Sequence, residues 1–156
     1  MFFVTFYKTV NHTAMKRLLS ILSLIFITTS TFAQADKILG TWLTSDKKAH
    51  VEMYKNANGI YFGKIIWLAE PNDPATGKPK LDVKNPDSSK RSQPILGSII
   101  FLNFSYDDGE YTGGKIYDAR DGKTYTGKLW LNADGTLSMR GYIGFLYSTE
   151  TWTRLK

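Results

Sequence analysis

SIIFLNFSYDDGEYTGGKIYDARDGKTYTGKLWL, running from Ser98 to Leu131, is the stretch that decides the fold. Its short runs of Ile, Leu, Thr and aromatic residues have the composition of strands. Between them lie Asp107-Asp108-Gly109 and Asp121-Gly122. Those residues tolerate the positive φ that tight hairpins require. Three consecutive strands are predicted here, Ser98–Tyr106, Glu110–Tyr117 and Lys123–Leu131. Downstream, Asp134-Gly135 opens a further hairpin into Thr136–Ile143 and Thr149–Leu155. Upstream, Gly40–Thr44, Ala49–Tyr54 and Ile60–Leu68 have the same character, with Asn56-Ala57-Asn58-Gly59 as a turn. No segment beyond Ala35 sustains a helical period, although Ala35–Leu39 fits one short helical turn.

Eight strands in meander order with no βαβ signal predict an all-β fold, an eight-stranded antiparallel up-and-down barrel. Closure removes the unpaired edges such strands otherwise present. Gly63, Gly113, Gly114, Gly127 and Gly141 interrupt the strands, as sharp bends in a small barrel require. A barrel of about eight strands is either filled by its own side chains or holds one small ligand. One long loop breaks the rhythm: Ala69–Leu96 carries all 5 prolines of the chain. Connections of this length in compact domains are uncommon and are often lids or packed Ω-loops. The segment reads either as a lid or as a solvated excursion across one barrel end.

Residues 1–35 have a different character. They contain no Asp or Glu, so all 14 acidic residues follow them. Met15-Lys16-Arg17 forms a positive n-region, Leu18–Ile27 an apolar h-region, and Thr31-Phe32-Ala33-Gln34-Ala35 offers two overlapping small-residue cleavage frames. This is the pattern of a signal peptide, cleaved near Ala33 or Ala35. The apolar run, interrupted by Ser20 and Ser23, is half of the roughly 20 residues a membrane span needs. Export signals usually begin with the pattern found at Met15, so Met15 is the expected start and residues 1–14 an over-extended reading frame. The expected product is one barrel domain, residues 36–156, in the periplasm or secreted.

Cleavage removes Lys8, Lys16 and Arg17 and halves the formal net charge of +6. The remaining Lys and Arg are scattered, unlike the clustered basic face of a nucleic-acid-binding protein. With 0 cysteines the chain has no disulfide, thiolate metal site, Cys nucleophile or lipoprotein anchor. His50 is the only histidine after the export segment, and no second His or Cys is present to complete a metal site. Gly-x-Ser-x-Gly is absent, and no Ser-His-Asp grouping stands out. Asp118 and Asp121 bracket a turn without EF-hand spacing and are read as turn formers. Asp82, Asn85, Asp87 and Arg91 supply partners for the long loop's unpaired backbone. No catalytic residue, metal or cofactor is assigned.

Gly40-Thr41-Trp42 resembles the Gly-x-Trp of the first strand in the calycins (lipocalins and fatty-acid-binding proteins), and Trp152-Thr153-Arg154 places an arginine on the last strand. The resemblance implies that Trp42 plugs one barrel end with Arg154 across its ring, a cation–π contact. The whole exported chain is similar to a bacterial family known as a domain of unknown function, number twenty-one forty-seven. Residues that carry this are Ile66-Trp67-Leu68-Ala69-Glu70-Pro71, Asp82-Val83-Lys84-Asn85-Pro86-Asp87 and Arg91-Ser92-Gln93-Pro94-Ile95-Leu96-Gly97. Gly113-Gly114-Lys115-Ile116-Tyr117-Asp118, Asp121-Gly122-Lys123-Thr124-Tyr125, Arg140-Gly141-Tyr142-Ile143-Gly144 and Thr151-Trp152-Thr153-Arg154 complete the set. Ala119 stands where relatives often have proline. The family implies a calycin-like barrel in the bacterial envelope and supplies no activity.

If the last hairpin turns around Gly144–Leu146, Arg140 and Glu150 sit close to opposite each other on adjacent strands, with Tyr142, Trp152 and Arg154 nearby on a common face. On a lumen face the charged pair grips the head of an amphipathic ligand, or serves as a structural plug. On an outer face it is a surface ion pair worth about 0–1 kcal/mol. The ligand-binding candidates are Trp67, Tyr117, Tyr125, Arg140, Tyr142 and Glu150. Gly40, Trp42 and Arg154 are assigned to barrel closure. The functional expectation is a non-enzymatic carrier of a small apolar or amphipathic molecule. The alternatives are an envelope interaction module with a filled core and, behind it, an enzyme acting in the lumen.

Overall fold

A computed structural model describes residues 34–155. Residues 1–33, which carry most of the expected export signal including Met15, lie outside the described residues, as does Lys156. The chain divides into two units, Met1–Asp36 and Lys37–Lys156, and the second is the barrel. A short 3-10 turn, Asp36–Ile38, precedes the first strand.

Nine strand segments follow: β1 (Gly40–Leu43), β2 (Ala49–Lys55), β3 (Tyr61–Leu68), β4 (Ile99–Asp107), β5 (Glu110–Thr112), β6 (Lys115–Asp118), β7 (Lys123–Leu131), β8 (Leu137–Ile143) and β9 (Leu146–Arg154). They form one sheet in the order β3-β2-β1-β9-β8-β7-β5-β4-β6, and the β3–β4 and β6–β7 pairings close it. Segments β5 and β6 lie end to end between β4 and β7, so the barrel has eight staves, all antiparallel. The stave predicted as one strand, Glu110–Tyr117, is broken at Gly113-Gly114, where Gly113 adopts φ 73°.

Inward residues alternate along β2 (Val51, Met53), β3 (Tyr61, Gly63, Ile65) and β7 (Gly127, Leu129), as a pleated stave with one buried face requires. Two bulges shift that alternation. On β4, Asn103 takes φ 59° and lets Phe101 and Phe104, three residues apart, both point inward. On β3, His50 pairs with Trp67 but Val51 pairs with Ile65, so Ile66 is the extra residue and Trp67 turns outward onto His50.

One end of the barrel is filled. Trp42, Met53, Phe104, Tyr111, Leu129 and Leu137 are buried there. Each such side chain contributes about 1.5–3 kcal/mol by leaving water. Trp42 donates its indole N–H to the Ile38 carbonyl at 2.8 Å. The Arg154 guanidinium lies 4.2 Å from the Trp42 ring and donates to the carbonyls of Leu39, at 2.7 Å, and Lys37. Gly40, at φ 116°, leaves room for that guanidinium; a Cβ there would stand 3.0 Å from Nη1 of Arg154.

The connection between β3 and β4 is packed. Bridges Asn72↔Pro79 and Leu81↔Pro94 fold it on itself, and Asp87 caps a short 3-10 turn, Ser88–Lys90. Asp82 is 2% exposed and ties the loop to the barrel wall. The Tyr117 hydroxyl donates to one of its carboxylate oxygens at 2.6 Å, and the Asn85 amide donates to the other at 2.7 Å. Lys84 Nζ donates to the Arg120 carbonyl at 2.6 Å. The approach is so close that a Cβ on Gly122 would lie 2.1 Å from the Lys84 carbonyl oxygen, and only glycine fits.

Candidate functional site

The other end of the barrel is hollow. Strand direction alternates around an up-and-down barrel, so the β1–β2, β6–β7 and β8–β9 turns and the β3–β4 loop gather at this end. Residues of the β1–β2 and β6–β7 turns and of the β3–β4 loop line a cavity of about 310 Å3. Phe101 and Trp152, with ring centroids 5.3 Å apart, separate it from the filled core. Val51, Ile65, Ile116 and Met139 form apolar walls, and the long loop adds Ile95, Lys80 and Glu70 on one side. The loop thus builds part of the cavity wall.

The rim is charged. Asp118 holds the Arg120 guanidinium at 2.7 Å (Nη2) and 2.9 Å (Nε). Nη2 of Arg120 also lies 3.7 Å from Oε1 of Glu150. Oε2 of Glu150 accepts from the Ser45 hydroxyl at 3.1 Å and from the Trp152 indole at 3.2 Å. Bonding to Asp118 raises the Arg120 pKa further, so the guanidinium is charged at every working pH. Asp46 on the β1–β2 turn lines the same rim. Burial raises its pKa, but bonds from Thr44 and the Lys48 N–H outweigh that and hold it below the usual carboxylate range. Burial and the Asp82 carboxylate push the Tyr117 phenol well above its ordinary value. An apolar chamber with a ring of fixed charges can hold an apolar body and orient a polar head.

Of the residues singled out from sequence, Tyr117 and Glu150 line this cavity; Trp67, Tyr125, Arg140 and Tyr142 are not part of its lining. The expected Arg140–Glu150 facing pair is corrected by the register. Ile143 pairs with Leu146, a two-residue turn, so Glu150 stands opposite Met139 and Arg140 opposite Thr149. Arg140 therefore points away from the lumen. It stacks on Trp130 (5.4 Å) and Tyr147 (4.3 Å), and its Nε donates to Thr149. Tyr142 shares that outer face and packs near Tyr147. Trp67 stacks on His50 at 4.2 Å. Tyr125 donates to Asp121 at 2.5 Å, and that bond raises its pKa to about 12. Sequence reasoning missed Met139 as a wall residue and Arg120 as the rim cation. The register of β8 and β9 was the signal for the first. For Arg120 the local signal was Asp118, two residues before it; Glu150, which completes its surroundings, is distant in sequence.

Among the described residues no group of three or more His, Asp or Glu side chains is arranged to hold a metal ion, and no helix is long and apolar enough to cross a membrane.

An antiparallel barrel plugged at one end by a Trp–Arg pair and hollow at the other is a lipocalin-like protein. Protein HP1028 from Helicobacter pylori, described as belonging to the lipocalin family, has a similar structure: 28% identity and a TM-score of 0.62, covering 76% of this chain and 82% of that one. The family described as "Uncharacterized protein conserved in bacteria (DUF2147)" matches residues 40–154, and the chain belongs to it. No curated protein matches the chain.

Proposed function

We propose that this protein is an exported carrier that holds one small apolar or amphipathic molecule in the hollow end of its barrel. The observation that carries the reading is the cavity of about 310 Å3, walled by apolar side chains and rimmed by Arg120, Asp118 and Glu150. That volume lies at the lower end of the range of small-molecule pockets, about 300–1,000 Å3, so the ligand is small. Likeness to a lipocalin-family structure supports the same function. Export rests on the acid-free basic-then-apolar pattern of residues 15–35. N-terminal sequencing of protein recovered from the cell envelope tests it: a terminus following Ala33 or Ala35 is expected, and one upstream of Thr31 contradicts it.

Titration with the amphipathic fluorophore 1-anilinonaphthalene-8-sulfonate, read through intrinsic tryptophan emission, tests the cavity, whose wall includes Trp152. Saturable quenching with one site is expected. Unsaturable or absent quenching favours the alternative, an interaction module that uses the barrel only as a scaffold.

A further inference from the structure

The β8–β9 hairpin ends at the hollow end of the barrel in an apolar tip that the core does not use. Phe145 is 93% exposed, Leu146 63%, Tyr147 62% and Ile143 55%. Scattered surface apolar residues are ordinary, but a contiguous exposed cluster marks a contact surface. The order of side chains back along the hairpin identifies the partner. Phe145 lies at the turn, Ile143 pairs with Leu146 behind it, Tyr142 with Tyr147 one step further, and Arg140 with Thr149 two steps beyond. At a rise of about 3.4 Å per residue, the tyrosines lie about 7 Å and the arginine about 14 Å from the tip. Aliphatic and phenyl groups come first, then tyrosine hydroxyls, then a guanidinium. A bilayer has the same sequence of layers: hydrocarbon, the interface that tyrosine favours, and the phosphates.

Charge points the same way. No acidic residue occurs from Ser138 to Thr149, and Arg140 makes no ion pair among the described residues. Lys128 lies beside Arg140 in register and both contact the Trp130 ring, at 5.2 Å and 5.4 Å, but Lys128 is paired with Glu110 at 2.6 Å, so Arg140 is the cation this face offers to phosphate. A protein interface typically sets its aromatic anchors within a polar rim; here the apolar groups occupy the end of a hairpin, with the Arg140 guanidinium set back from it. We propose that the β8–β9 hairpin is a membrane-contact element that inserts Phe145 and Leu146 into an anionic lipid surface, with Tyr142 and Tyr147 at the interface and Arg140 at the phosphates. This contact stands independently of any ligand in the cavity, although it places the cavity opening at the same end as the lipid.

Sedimentation with vesicles of equal parts phosphatidylethanolamine and phosphatidylglycerol tests it. Wild-type protein is expected in the pellet, less so with added salt. The double variant Phe145→Ser/Leu146→Ser is expected to lose about tenfold or more in partitioning, and Arg140→Gln several-fold. Phe145→Trp gives a readout that survives any change in affinity: relative to the wild type, its emission shifts to the blue on vesicle addition if the tip enters lipid. Wild-type protein left in the supernatant, equal partitioning of the double variant, or an unshifted emission from the Phe145→Trp variant overturns the proposal. So does a concentration-dependent dimer that the double variant abolishes without any vesicle binding, which assigns the tip to self-association. Met139→Trp, which alters only the cavity, is expected to sediment like the wild type, so failure of the carrier reading leaves this result unaffected.

Discussion

Glu150 stands opposite Met139 in the β8–β9 ladder, and Arg140 stands opposite Thr149. Side chains alternate faces along a strand, so a single residue of register separates an inward acid from an outward cation. The acid joins Arg120, Ser45 and Trp152 at the rim of the hollow end. The cation joins Trp130 and Tyr147 on the outside. One hairpin thus serves two surfaces.

Met139 lies in the cavity wall, and a larger side chain there has empty space to enter. Met139→Trp is expected to abolish saturable fluorophore binding while costing no more than about 1–3 kcal/mol of unfolding free energy, the range for enlarged side chains. Urea unfolding beside the binding titration checks both. Undiminished binding removes the lumen as the site.

At the filled end, Arg154 covers the Trp42 ring and bonds two backbone carbonyls. Arg154→Ala is expected to cost about 1–2 kcal/mol, since the guanidinium is partly exposed and its cation–π contact is correspondingly modest. Trp42→Ala removes a fully buried indole and is expected to cost about 3–5 kcal/mol. Denaturant midpoints measure both, and equal losses would contradict this division.

Tyr117→Phe removes the hydroxyl that donates to buried Asp82. A loss of about 1–3 kcal/mol is expected from the partner left unsatisfied, with faster proteolysis inside residues 69–98. The phenol's folded pKa is raised above its ordinary 10.0, so its stabilising effect is complete below pH 10 and declines as pH rises beyond it. Wild-type stability is therefore expected to fall more steeply above pH 10 than that of Tyr117→Phe. Parallel slopes would show that Tyr117 is not the group responsible.

Glu70 accepts from Lys80 across the base of the long loop at 3.1 Å, and that bond holds its pKa below 4.5. Its stabilising effect is present above pH 4.5 and lost as pH falls through the lowered value. Carboxyl NMR is expected to place the Glu70 midpoint below 4.5 and to return it towards that value in Lys80→Ala. An unchanged midpoint in the variant would break the assignment.

The staves and their tight turns were legible because Asp-Gly pairs and strand composition act locally: β2, β3 and β7 appear within about a residue of expectation. The Trp42–Arg154 closure was legible through its resemblance to calycins. What eluded the sequence was parity. Ile66 and Asn103 each add one residue to a stave, which turns Trp67 outward and brings Phe104 inward beside Phe101. A turn read as three residues has two, which sends Arg140 and Tyr142 outside. Bulges and turn lengths are settled by packing across the barrel, and no local pattern announced them. The loop's fixation was equally hidden, since Asp82 meets a tyrosine 35 positions away.

Native mass spectrometry of the protein purified from the envelope of its own host tests the central claim most directly. A bound mass of small-molecule size, released on denaturation and absent from Met139→Trp prepared in parallel, is the predicted result. A ligand-free mass for the wild type, together with no saturable uptake of amphipathic molecules, would contradict the carrier reading.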